Sequence, residues 1–108
     1  MNIIYSKVNP PQKQEDYFPV DLTSETMGEH FREVMEKVRE QNPDALVIYA
    51  DREHGANFAY LTGFEPRFEE ALLILHRDEK AYLMLGNENL KMCRYSFVKA
   101  ELIHCPYF

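Results

Sequence analysis

The sequence predicts an α/β domain in which helices flank a mixed sheet. Two observations carry that reading. Thr23–Glu40 places Met27, Phe31, Val34, Met35 and Val38 at helical spacing, with Glu29, Arg32, Glu33, Glu36 and Lys37 on the opposite side. Short apolar runs at 45–50, 71–76, 81–85 and 101–105 have the length and composition of strands. A helical layer over such a sheet is one of the few ways to bury both apolar surfaces.

The elements follow in chain order. Residues 1–22 read as an extended arm, because Pro10, Pro11 and Pro19 fix φ and remove donors amid polar residues. A single domain spans 23–108. Thr23 or Ser24 caps the first helix, and Asn42-Pro43 ends it, since a residue before proline avoids the α region. Ala45–Ala50 is a buried strand, and Asp51–Gly55 is a polar loop at its carboxyl end. Residues 57–62 form a short helix with Asn57 as its cap and Gly63 in a left-handed closing position. The strands at 71–76 and 81–85 pair as a hairpin through Arg77, Asp78, Glu79 and Lys80. A helix over 88–98, capped by Asn87 and burying Leu90, Cys93 and Phe97, leads to the last strand.

Composition removes several function classes. The chain has 108 residues, 45% apolar and 28% charged, which suits one globular domain. Lys and Arg number 12 against 18 Asp and Glu, a net charge of −6. Nucleic acid and anionic membrane both select clustered positive charge, so neither is an expected partner. No apolar run is long enough to span a bilayer and Met1–Tyr5 lacks a signal-peptide pattern. Cys93 and Cys105 are too few for a disulfide scaffold, and reduced thiols in a cytoplasm are expected. The chain stops on Cys105-Pro106-Tyr107-Phe108, directly after an apolar strand, so the native polypeptide is expected to continue.

Candidate site residues lie in the loops. Asp51, Glu53 and His54 offer oxygen and nitrogen donors at a strand's carboxyl end, where α/β sheets place their sites. The alternative is a solvated loop in which Arg52 pairs with Asp51 or Glu53. Arg67 is the only cation among Glu65, Glu69 and Glu70; it either receives a substrate carboxylate or pairs with a neighbour. Cys93 sits on an apolar stripe, and His104 and Cys105 alternate across a strand, so neither a thiol–imidazole pair nor a zinc site is expected. No phosphate loop, nucleophile elbow or zinc-helix motif is present.

Tyr60-Leu61-Thr62-Gly63-Phe64, preceded by Asn57 and the strand Leu46-Val47-Ile48-Tyr49, resembles a hallmark of the creatinase/prolidase amino-terminal domain. The matching order of elements runs from Phe31 to Leu85, about half the chain. Residues 49–54 and 64–73 look like an Xaa-Pro peptidase-like branch of that family. The resemblance implies a three-layer α/β/α sandwich, ribonuclease-H-like, that binds no metal. It also implies a separate carboxyl-terminal catalytic domain with two divalent ions, manganese, cobalt or zinc, that activate water. That domain is absent from this sequence, so no catalytic or metal residue is carried over.

By the same resemblance the amino-terminal domain dimerises the protein and walls the substrate pocket. The expected partners are its own catalytic domain, a second subunit and a peptide substrate. Arg67, Arg52, His54 and Tyr60 are the expected substrate-gating residues, while Asn57 and Gly63 shape the turn. A free-standing binding or regulatory module that reuses the fold is the alternative, because fold does not fix function.

Overall fold

A computed structural model describes residues 2–11 and 21–108. Its α/β architecture has the expected order of elements, with one substantial change. The first helix, α1 (Ser24–Gln41), begins where Thr23 Oγ1 accepts the Thr26 N–H at 3.2 Å. It ends at Asn42, which takes φ 53° and donates its N–H to Val38 O. Asparagine tolerates that left-handed position better than most residues. Met27, Met35 and Val38 bury the inner face of α1.

Strand β1 (Ala45–Ala50) pairs antiparallel with β2 (Ala71–His76), which pairs antiparallel with β3 (Ala81–Leu85). Strand β4 (Glu101–His104) joins β3 in parallel, giving a four-stranded mixed sheet in the order β1-β2-β3-β4. Register lines up Ile48, Leu73 and Leu83 across three strands, flanked by Ala50, Ala71 and Leu85. Alternation puts these residues on one face. They form the core with Met35 and Val38 of α1 and with Phe58 and Leu61 of α2 (Ala56–Thr62). Each large side chain fully buried there contributes about 1.5–3 kcal/mol. The opposite face carries Leu72, Ile74, Tyr82, Met84 and Ile103 half-buried, and Val47 and Tyr49 half-exposed.

The β2–β3 connection closes with Glu79 at φ 71°, and Lys80 N–H donates to Asp78 Oδ1. Arg39 of α1 reaches Glu79 at 2.6 Å, and Arg77 reaches Asn42 Oδ1 at 2.6 Å, tying the hairpin tip to the end of α1.

Residues 88–98 are not an α-helix. Only Leu90–Tyr95 coils, as a 3₁₀ helix, and no side chain caps it. The polar residues expected to start a helix are committed elsewhere. Asn87 Oδ1 lies 2.7 Å from His104 Nε2, and the Asn89 side chain bonds the backbone of Arg67. At the far end, Ser96 Oγ donates to Val98 O and holds the chain extended. Leu90 and Cys93 are accordingly half-buried and Phe97 is exposed, where full burial was expected; Val98 is buried instead.

Asn57 is not a cap. Helix α2 starts two residues earlier, from Gly55, whose carbonyl accepts the Ala59 N–H at 2.8 Å. Asn57 lies exposed in the first turn. The loop turns early because Asp51 gathers it. Of the extended arm over 1–22, residues 2–11 carry no secondary structure and are exposed, while residues 1 and 12–20 lie outside the described residues. No helix among the described residues is long and apolar enough to cross a membrane.

Candidate functional site

The carboxyl end of β1, the turn after α2 and the segment before β2 meet around one cavity of about 800 Å³. Its lining includes Arg52, Tyr60, Glu65, Arg67 and Phe68, with His30 contributed by α1. Gly63 closes α2 at φ 86° and donates its N–H to Ala59 O, turning the chain sharply toward the rim. Thr62 is buried beneath it, its hydroxyl donating to Phe58 O at 2.8 Å.

Asp51 organises the first loop. Its Oδ1 accepts the N–H groups of Glu53 (2.9 Å) and His54 (2.7 Å), and its Oδ2 accepts the Tyr49 hydroxyl at 3.1 Å. His54 Nδ1 lies 3.0 Å from the same carboxylate. Partial burial raises the Asp51 pKa, but the His54 and Glu53 N–H groups, with the His54 ring and Tyr49, outweigh it and hold the carboxyl below its ordinary value. Desolvation pushes Tyr49 upward, helped by its bond to Asp51 and by the charges of Asp51 and Glu70.

Tyr60 is locked by three contacts. Its ring stacks on His30 with centroids 3.8 Å apart and planes 10° from parallel. Its hydroxyl donates to Glu33 Oε2 at 2.8 Å, and its carbonyl oxygen lies 2.7 Å from His30 Nδ1. A carbonyl only accepts, so His30 carries a proton on Nδ1. The bond to Glu33 raises the Tyr60 pKa first, followed by desolvation and the Glu33 charge.

The cations are deployed differently from their neighbours. Arg52 sits with Cζ 5.9 Å from the centre of the Phe68 ring, inside the range of a cation–π contact. Among the described residues, neither Arg52 nor Arg67 forms an ion pair, although Asp51, Glu53, Glu65, Glu69 and Glu70 are all close in sequence. Two guanidiniums therefore line one cavity without an internal carboxylate partner, in an acidic chain. Glu65 lines the same cavity, so the rim carries both signs of charge.

Of the four residues expected to gate substrate, Arg52, Arg67 and Tyr60 come together at this cavity. His54 does not line it; its side chain turns back onto Asp51. His30 stands there instead, and its place on the inner stripe of α1, three residues from Met27, was a readable signal. Phe68 carried no such signal, since an exposed aromatic in a polar stretch looks incidental. Of Asp51, Glu53 and His54, only Asp51 and His54 bring their side chains together, and the Asp51 carboxylate accepts the Glu53 and His54 N–H groups and the Tyr49 hydroxyl. Among the described residues no three His, Cys, Asp or Glu side chains are grouped to hold a metal ion.

No protein family model matches the chain, and no curated protein matches it. Among solved structures, the chain is similar to the amino-terminal, creatinase/prolidase-like domain of a candidate metallopeptidase from Corynebacterium diphtheriae. The two share 17% identity with a TM-score of 0.58, over 75% of this chain and 60% of that one. The chain thus spans less than two thirds of that domain's length. Its mixed sheet, covering helices and closing glycine turn give it the fold of a creatinase/prolidase-like amino-terminal domain.

Proposed function

We propose that this chain is the amino-terminal, non-catalytic domain of an Xaa-Pro peptidase-like metallohydrolase of the cytoplasm, and that it serves dimerisation and gating of the substrate pocket. The carrying observation is the cavity shared by Arg52 and Arg67, both without a carboxylate partner among the described residues. A peptide supplies the missing carboxylate, and Tyr60, fixed by His30 and Glu33, supplies a rigid wall beside it. The chain's role is to bind and orient; two divalent ions in a separate catalytic domain would supply the activated water.

Three measurements test this. The isolated chain, supplied with manganese, cobalt or zinc, hydrolyses no Xaa-Pro peptide above a metal-only control. In a polypeptide joining this sequence to a peptidase domain, Arg67→Ala raises KM or lowers kcat/KM about tenfold with metal content unchanged. Unaltered steady-state kinetics would remove Arg67 from the substrate path. A native mass near the 12.8 kDa of this chain would favour a free-standing module, whereas a several-fold larger polypeptide favours the enzyme.

A further inference from the structure

The cavity rim contains a conformation that the core does not need. Phe68 adopts φ 65° and is 76% exposed. A bulky residue in the left-handed region is strained, and such strain persists only where the surroundings over-determine it. Here both flanks are pinned. The Arg67 N–H donates to Asn89 Oδ1 at 2.7 Å, and Asn89 Nδ2 donates to Arg67 O at 3.0 Å. One side-chain amide thereby takes both backbone groups of one residue, across 22 positions of sequence. On the other flank, Glu69 Oε1 accepts the Glu88 N–H at 3.0 Å. Glu69 Oε2 packs against Gly86, in the space that a Cβ there would occupy.

Asn89 is fully buried, and its amide has no cap to serve in the 3₁₀ helix that follows. A buried amide is retained where both of its ends are bonded, and here both ends go to Arg67. We propose that Asn89 is the positioning residue of the cavity rim: its amide sets the turn that presents Arg67 and Phe68 to a bound peptide. Asn89 touches no ligand itself and acts through the two residues it orients. The peptide part of this inference rests on the gating reading above; the conformational part does not.

Nuclear magnetic resonance on the whole 108-residue chain separates the two parts. The wild type shows the strong intraresidue HN–Hα contact of a positive φ at Phe68, together with an Arg67 amide protected from exchange. Asn89→Ala loses both signatures while the rest of the spectrum stays folded. Asn89→Asp keeps the acceptor and loses the donor, and carries the test should Asn89→Ala fail to fold. A wild type without the positive-φ signature, or a folded variant that keeps it, overturns the proposal.

The second arm titrates the tripeptide Ala-Pro-Ala. Arg67→Ala and Asn89→Ala each weaken binding about tenfold, the loss of one charge-assisted contact, and the double variant is no weaker than either. Additive losses overturn Asn89 as a residue acting through Arg67. No change on Arg67→Ala alone overturns the gating reading and leaves Asn89 to be decided by the Phe68 signature.

Discussion

Gly63 lies under the ring of Phe97: a Cβ at Gly63 would stand 2.6 Å from Phe97 Cδ2. The contact joins the end of α2 to the segment leading into β4, and the Phe97 N–H reinforces it by donating to Thr62 O at 2.9 Å. Gly63 is thus required twice, for its φ of 86° and for the space it leaves.

Gly63→Val therefore destabilises the fold by about 2–5 kcal/mol, combining backbone strain with overpacking. Urea denaturation measures it. Phe97→Ala in the Gly63→Val background recovers the steric part and leaves the strain; no recovery would mean that the ring is not the obstacle.

Glu79→Gly has the opposite sign. The left-handed φ of 71° costs a residue with a Cβ about 1–2 kcal/mol, and glycine removes that cost. The exposed bond to Arg39 that is lost contributes about 0–1 kcal/mol. A net rise in denaturation midpoint is expected, and a fall would show that the ion pair outweighs the turn.

Acid should loosen the Asp51 loop. The Asp51 pKa is lower folded than unfolded, so its contribution to stability is complete above the ordinary value of 3.8 and disappears as pH falls through the folded value. Denaturation midpoints between pH 7 and 2 therefore fall less steeply in Asp51→Asn than in the wild type. Parallel curves would show that Asp51 does not couple the loop to protons.

Tyr60 gives the mirror case at alkaline pH. Its pKa is raised in the fold, so its contribution is complete below the ordinary value of 10.0 and is lost as pH climbs through the folded value. Tyr60→Phe keeps the His30 stack and loses the bond to Glu33, so the alkaline limb flattens while the neutral midpoint moves little. A large neutral loss would mean that the hydroxyl, rather than the ring, holds α2 to α1.

Local signals in the sequence carried most of the fold. Thr23 and Asn42 marked both ends of α1 because caps are decided within a few residues, and the β2–β3 hairpin was readable because its four-residue connection allows little else. The segment 88–98 was misread for a non-local reason. Asn87 and Asn89 look like helix starters in sequence, yet their side chains are taken by His104 and by the Arg67 backbone, partners from distant parts of the chain. At the cavity the commitment that counts is a local one. Arg52, Arg67 and Tyr60 line it as their loop or short-helix positions suggested, whereas His54 is turned away by a carboxylate three residues earlier.

The sheet's connectivity has a kinetic side. Only β2 and β3 are joined by a short loop, residues 77–80; β1 reaches β2 through 51–70, which holds α2, and β4 returns in parallel to β3 through 86–100. Loop closure precedes the reward of non-local contacts, and β4 is a four-residue edge strand whose side chains are mostly exposed. Its amides should exchange with solvent through openings that leave the β1–β3 meander intact. Removing β4 would then fray one edge of the sheet rather than unravel it.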